Sequence, residues 1–225
     1  MRAGEIHIWH VPLASCNSAL GELPAVLSDG ERERAARFIF EQDEARFIAC
    51  RASLRLILAR YTGIPPSKII FRYEPRGKPA LSGIPGWQFN VSHSRNQAAI
   101  AVTRFDPVGI DLEIIDPLFP RHEVVEEILA PDELRDLNAL DPNEQTAYFF
   151  QLWTLKESLL KAVGGGFSLD PREIRIRLDQ SRNPEIVSAP PDFVHATLHR
   201  FTLEPRFASA LAVLASAPDL SFFTL

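Results

Sequence analysis

Three carboxylates and two lysines in this 225-residue chain have the spacing to act together. Asp111 and Glu113 lie in Val108-Gly-Ile-Asp-Leu-Glu-Ile-Ile115, whose alternation and β-branched content predict a strand. Side chains two apart on a strand leave the same face, so the two acids share one face while Ile110, Leu112 and Ile114 take the other. Two like charges that close repel unless a cation lies between them. Further on, Trp153-Thr-Leu-Lys-Glu-Ser-Leu-Leu-Lys161 reads as helix, with Glu157 and Lys161 one turn apart and pointing the same way. With Glu157 the strand pair becomes an all-oxygen set of three acids. Such hardness suits Mg²⁺, which keeps several waters and takes other ligands from substrate phosphates. A plainer reading stands beside it: a solvated strand edge for the acids, and an i,i+4 salt bridge for Glu157 and Lys161.

The elements that must position these groups follow from pattern. The helix from Phe149 to Lys161 lacks proline and is stopped by Gly164-Gly-Gly166. Phe149, Leu152, Trp153, Leu159, Leu160 and Val163 form its apolar face, with Lys156 in the middle where another leucine is expected. Upstream, Ile6 to Val11 alternates as a first strand. Ser28-Asp-Gly-Glu31 has the capping-box form and opens a helix carrying Arg32, Arg34 and Arg37 that ends near Phe40. Asp43 is placed to cap a second helix, ended by Gly63 and Pro65. Lys68 to Tyr73 is a short strand, and Glu74-Pro-Arg-Gly-Lys-Pro79 is turn chemistry that holds Lys78 between a glycine and a proline. Trp87 to Val91 leads into Ser92-His93-Ser94, and Ala98 to Thr103 is a buried strand. After a hinge at 104–107 and the acidic strand come a loop from Asp116 to Arg121, a short helix from Glu123 to Leu129, and a helix opened by Pro131. Glu173 to Leu178, Ala196 to Phe201 and Ala208 to Leu214 are strand-like, Asn183 to Pro191 is a loop, and Ser221 to Leu225 carries no readable pattern.

Composition bounds the class. The chain is 46% hydrophobic and 24% charged, ample for a core and ordinary for a soluble protein. It has no run of about 18 apolar residues, so no membrane span is expected. The first ten residues lack the apolar core of a signal peptide, and Cys16 and Cys50 form neither a disulfide framework nor metal-ligand spacing. A cytoplasmic protein is expected. Residues 1–80 hold 12 Lys/Arg against 9 Asp/Glu, whereas residues 81–225 hold 12 against 20. A basic half facing an acidic half suits a ligand with phosphates and a divalent metal, and equally two solvated faces. The negative total and the lack of an aromatic-basic stripe argue against nucleic acid.

The two halves echo each other. Ala98-Ala-Ile-Ala-Val102 resembles Ser209-Ala-Leu-Ala-Val213, and Arg51-Ala-Ser-Leu54 falls where Lys156-Glu-Ser-Leu159 falls. Leu27 to Glu31 matches Leu129 to Glu133 in role, and Ile6 to Ile8 matches Ile110 to Leu112. The offsets of 111, 105, 102 and 104 residues are nearly constant and in order. They predict two similar halves meeting along a pseudo-twofold seam, 1–105 and 106–225, with a ligand cleft between them.

Taken together, Val108-Gly-Ile-Asp-Leu-Glu113 followed by Trp153-Thr-Leu-Lys-Glu-Ser158 and Lys161 resembles the paired signature of the 4′-phosphopantetheinyl transferases. The length, the Gly77-Lys-Pro79 turn, Asn90-Val-Ser-His-Ser94 and the arginine-rich first helix resemble the long, surfactin-synthetase-activating (Sfp) type, over roughly residues 5–215. The resemblance implies an α+β fold of two similar subdomains with coenzyme A between them. It implies Mg²⁺ held by Asp111, Glu113 and Glu157 against the pyrophosphate, and Lys161 on the phosphates and the leaving group. It also implies Lys78, Ser92 and His93 at the adenine end and its 3′-phosphate, Arg34 as a basic phosphate contact, and Lys156 near the cofactor. Where the family has a second basic residue one turn before Arg34, this chain has Glu31, and Arg32 or Arg37 is left as its substitute.

The implied activity is transfer of 4′-phosphopantetheine to a serine hydroxyl of an acyl- or peptidyl-carrier protein, releasing 3′-phosphoadenosine 5′-phosphate. Glu157 is the candidate base, directly or through a water on the metal. Carrier proteins are usually acidic with an apolar patch, and the loop from Asp116 to Arg121 is a candidate docking place. The internal duplication points to a monomer. A noncatalytic coenzyme A or nucleotide-binding module and a nonspecific Mg²⁺ phosphohydrolase are the alternatives. The first leaves the complete acid set idle, and the second leaves Lys156, Lys161 and the duplication unexplained.

Overall fold

The computed structural model describes residues 1–14, 23–75, 77–119, 123–164, 169–215 and 218–225. Strand β1 (Glu5–Pro12) leads into α1 (Asp29–Ala35) and α2 (Glu41–Thr62), then the short hairpin β2 (Phe71–Tyr73) and β3 (Pro79–Leu81), and the long hairpin β4 (Trp87–Ser94) and β5 (Gln97–Arg104). The acidic strand β6 (Val108–Ile114) precedes α3 (Val125–Ile128), α4 (Pro131–Ala139) and α5 (Pro142–Val163). Hairpin β7 (Arg175–Leu178) and β8 (Pro184–Ser188), strands β9 (Thr197–Arg200) and β10 (Phe207–Val213), and the terminal β11 (Asp219–Thr224) complete the chain.

The α+β architecture and the duplication are both present. One sheet runs β11-β1-β5-β4 and the other β6-β10-β9, and the order β1-β5-β4 repeats as β6-β10-β9 with antiparallel pairing throughout. Helices α2 and α5 are each 22 residues long and end on glycines, Gly63 and Gly164, whose φ angles of 71° and 67° are left-handed caps. Those caps lie 101 positions apart, which pairs Arg55 with Lys156. The sequence match of Arg51 with Lys156 is therefore a turn out of register. The match of Ala98 with Ser209 fails by parity: Ala99 and Ala101 face the seam, as do Leu211 and Val213, so an odd offset inverts the faces.

Three cores stack through the molecule. The seam core joins Ile6, Ile8, Ala99 and Ala101 to Val108, Ile110, Leu112, Leu211 and Val213. Helix α2 covers the far face of the first sheet, against Trp9, Phe89, Ile100 and Val102, and α5 covers the far face of the second, against Ala208, Ala210 and Ala212. The odd-numbered residues of β6 thus point at α5.

Several elements differ from the sequence expectation. Helix α1 ends at Ala35 rather than near Phe40, and α2 starts at Glu41 behind Phe40, with Asp43 inside its first turn. Ser92, His93 and Ser94 belong to β4 itself, paired to Ala99, Ala98 and Gln97. The loop expected from Asn183 contains β8, because its pairing partner β7 supplies the bonds. The terminal segment without pattern is a strand: Asp219 to Thr224 pair in parallel with Glu5 to His10, so the end of the chain completes the first half's sheet. Phe223 stacks on Trp9 there, with ring centroids 4.8 Å apart. Cys16, Gly165, Gly166, Pro120 and Arg121 lie outside the described residues.

Candidate active site

The site forms where β4, β6 and α5 meet. Strand β6 uses one edge to pair with β10, leaving the other edge's N–H groups to be satisfied across the seam. Three alternate side chains of β4 do this: Asn90 Oδ1 accepts from Ile110 N–H at 2.9 Å, Ser92 Oγ from Leu112 N–H at 3.3 Å and Ser94 Oγ from Ile114 N–H at 3.1 Å. The same hydroxyls donate onward, Ser92 to Asp111 Oδ1 at 2.8 Å and Ser94 to Glu113 Oε2 at 2.9 Å. A side-chain ladder from the first half therefore sets the position of both acids.

Helix α5 closes the site from the other side at unusually short range. A Cβ on Gly109 would lie 2.0 Å from Ser158 O and 2.4 Å from Ala162 N, both backbone atoms of α5. Only glycine permits that contact, which brings Glu157 and Lys161 beside the carboxylates of β6. Lys161 Nζ donates to Asp111 Oδ1 at 2.5 Å and to Ser92 Oγ at 3.2 Å. Asp111 is 2% exposed, and its Oδ2 has no hydrogen-bond partner among the described residues.

The electrostatics follow from this crowding. Burial, then the neighbouring Asp111 charge, pushes Glu113 up to about 7. Burial and Asp111 raise Glu157 as well, with Lys161 opposing. Glu113 is raised by the Glu157 charge as well. Among the described residues, however, no three His, Cys, Asp or Glu side chains form a ready-made metal cage. The cation that meets Asp111 in this structure is Lys161, so its partner is Asp111 on the strand.

The remaining predicted residues of the first half separate into four places. His93 lines a cleft with Arg46, Glu113 and Trp153, and its imidazole is shifted down by desolvation, then by Lys161 and Arg46. Arg34 lies over the Phe47 ring at 5.2 Å, in a different concavity shared with Arg51 and Tyr73. Lys78 turns inward: its Nζ donates to Val108 O at 3.0 Å and Ala162 O at 2.8 Å, and burial lowers it to about 8. It ties a C-terminal carbonyl of α5 to the first residue of β6 rather than facing open solvent. Ser92 is buried among Asp111, Leu112 and Lys161.

Lys156 is not at the acids at all. It is 1% exposed and donates to Glu133 Oε2 at 2.5 Å, Ile128 O at 2.9 Å and Pro171 O at 3.0 Å. An ammonium with three buried acceptors can occupy the apolar face of a helix, which explains its place there. Glu31 is likewise structural: it closes the capping box with Ser28 and accepts from Arg51 and Arg55. Arg32 folds back to Asp29 and to Leu27 O.

Sequence reasoning passed over Asn90, Ser94 and Gly109 as site residues. Their signals were present as polar residues at period two in β4 and a glycine inside an apolar strand.

Glu113 gives the site a pH signature. Its folded pKa of about 7 lies above the ordinary 4.5, so between these values the folded chain holds a proton that the unfolded chain has released. The contribution is fully present below 4.5 and is lost as pH rises through about 7. The thermal midpoint of metal-free protein is expected to fall across this window, and Glu113→Gln to flatten that fall. An equal slope in the variant, measured by calorimetry, would remove Glu113 as its source.

Comparison with known proteins defines the class. A family model described as the 4′-phosphopantetheinyl transferase superfamily matches residues 107–212, and one described as 4′-phosphopantetheinyl transferase, N-terminal, matches residues 15–104. The 4′-phosphopantetheinyl transferase HetI of Nostoc sp. is 39% identical over 83% of this chain and 79% of its own. The 4′-phosphopantetheinyl transferase Sfp of Bacillus subtilis is 31% identical over 86% of this chain and 84% of its own. The holo-[acyl-carrier-protein] synthase of Thermotoga maritima superposes on 49% of this chain and 64% of its own, with 24% identity and a TM-score of 0.41. The chain belongs to the 4′-phosphopantetheinyl transferase family, in its long, Sfp-type branch, and is an enzyme of that class.

Proposed function

We propose that this enzyme transfers 4′-phosphopantetheine from coenzyme A to the serine hydroxyl of an acyl- or peptidyl-carrier protein with Mg²⁺. One observation carries the reading: a buried, unpartnered Asp111 Oδ2 beside two further carboxylates of raised pKa and one lysine. Such a cluster is relieved by a hard cation, and its all-oxygen donor set fits Mg²⁺. Asp111, Glu113 and Glu157 would hold the ion, which when bound neutralises pyrophosphate charge.

The chain's own groups supply the rest. The serine oxygen forms a bond to the phosphorus that carries the pantetheine arm, and the pyrophosphate bridge to that phosphorus breaks. Glu157, on the face of α5 beside the carboxylates of β6, takes the serine proton. Lys161 meets the charge growing on the departing 3′-phosphoadenosine 5′-phosphate. The first half, residues 1–105, serves the nucleotide end through His93 at the cleft and Arg34 in its neighbouring concavity, and residues 106–225 the metal and α5. The apolar cavity of about 880 Å³ beside Glu157 and Lys161, walled by Val124, Ile128, Leu160 and Leu169, takes the pantetheine arm. Both halves come from one chain, which supports a monomer. Among the described residues no helix is long and apolar enough to cross a membrane, in keeping with a cytoplasmic site of action.

Mass spectrometry of an apo carrier protein incubated with coenzyme A and Mg²⁺ tests the reading. The expected result is gain of the pantetheine mass, lost on chelation and in each of Asp111→Ala, Glu113→Ala and Glu157→Ala. Near wild-type turnover in any one of the three ends its ligand role. For the nucleotide end, His93→Ala is expected to weaken coenzyme A more than it slows transfer. Dephospho-coenzyme A, lacking the 3′-phosphate, is expected to be indifferent to that substitution. Equal losses for both donors would refute that assignment.

A further inference from the structure

The duplication repeats a buried tie. In the first half Glu31, the third helical residue behind the Ser28 cap, accepts from Ser28 N–H at 2.8 Å and from Arg55 Nε at 2.6 Å. Arg55, 1% exposed, also donates to Pro66 O at 2.7 Å and Ile69 O at 2.9 Å. In the second half Glu133 accepts from Ala130 N–H at 2.7 Å, from Ile176 N–H at 2.8 Å and from Lys156. Each cation therefore fastens its long helix to a capping glutamate and to the turn that follows the helix.

The two ties differ in what they hold. The carbonyls taken by Lys156 belong to Ile128, at the end of α3, and Pro171, in the turn after α5. Ile128 and Pro171 both line the apolar cavity, together with Trp153, Glu157, Leu160 and Lys161 of α5. One ammonium thus holds both loop-side walls of that cavity against the helix carrying the reacting groups. We infer that Lys156 is a positioning residue that sets the width of the pantetheine cavity through Ile128 and Pro171 and makes no contact with coenzyme A. This rests on the cavity assignment above.

The test separates the arm of coenzyme A from its nucleotide. Lys156→Met with Glu133→Gln removes both charges, which avoids an unpaired buried ion and retains the fold. Expected is a rise of about tenfold or more in KM for coenzyme A and a fall in kcat, with the Kd of 3′-phosphoadenosine 5′-phosphate held within about twofold. Wild-type kinetics in a folded double variant overturns the inference, and so does a matching loss of nucleotide affinity, which reports general collapse. If the double variant does not fold, Lys156→Arg decides. Three acceptors that converge on one ammonium cannot all be met by a planar fork, so the walls must shift. The same split is then expected at about threefold, and no split overturns the inference. Failure of the wild-type enzyme to use coenzyme A refutes the functional reading instead, so the two failures are distinct.

Discussion

Lys161→Ala is expected to cut transfer by roughly 10²–10³, the size of one lost donor to developing negative charge, about 3–4 kcal/mol. It is also expected to destabilise the fold, because Asp111 is 2% exposed and Lys161 is the ammonium on its Oδ1. Leaving that carboxylate with Ser92 alone costs about 1–3 kcal/mol. Two variants separate the effects. Asp111→Asn added to Lys161→Ala removes the stranded charge, so the thermal midpoint should recover, which isolates the stability effect; its turnover is lost with the metal ligand in any case. Lys161→Arg should restore the midpoint in part but turnover only weakly, since its charge is spread over a fork. Turnover of the two Lys161 single variants, with the midpoint of all three, decides between a structural ion pair with Asp111 and a group that meets the leaving phosphate. A Lys161→Ala protein with wild-type turnover would leave Lys161 with only its structural pairing to Asp111.

Among the described glycines, Gly109 is the one where an added methyl is expected to do most damage. The new Cβ would lie 2.0 Å from Ser158 O, 2.4 Å from Ala162 N and 2.9 Å from the Lys161 carbonyl carbon. These are helix backbone atoms, so no rotamer change relieves the clash; α5 must move away from β6. Overpacking of this kind costs about 3 kcal/mol or more. Protein that still folds should lose transfer steeply, because the movement parts Glu157 and Lys161 from Asp111 and Glu113. Gly30→Ala is the control: it lies in α1 with no atom within 4 Å of the added Cβ, and should stabilise by about 0.5–1 kcal/mol. A Gly109→Ala enzyme with wild-type midpoint and turnover would show that the close approach is unnecessary.

Much of this molecule is legible in local pattern. Alternation placed Asp111 and Glu113 on one face of β6, and the observed register keeps Ile110 and Leu112 fully buried in the seam. Ser28 and Glu31 form the expected capping box, and Gly63 and Gly164 stop the two long helices. Each depends only on near neighbours in the chain, which is why residue order suffices. The duplication was visible too, but not its register, because matching apolar strings score alike at odd and even offsets while the pleat distinguishes them.

Tertiary structure decided what each charged group is for. Lys156 and Lys161 are two lysines of one helix, yet one is fixed under Glu133 and the other meets Asp111, through partners 23 and 50 residues away. Ser221 to Leu225 has no pattern of its own, because a short strand pairing in parallel with β1 draws its order from that partner. The raised pKa of Glu113 and the unpartnered oxygen of Asp111 arise where β4, β6 and α5 exclude water together. Local sequence sets which backbone conformation a residue adopts and which way its side chain leaves. Burial and distant charges set what that side chain can do, and those exist only once the chain has closed.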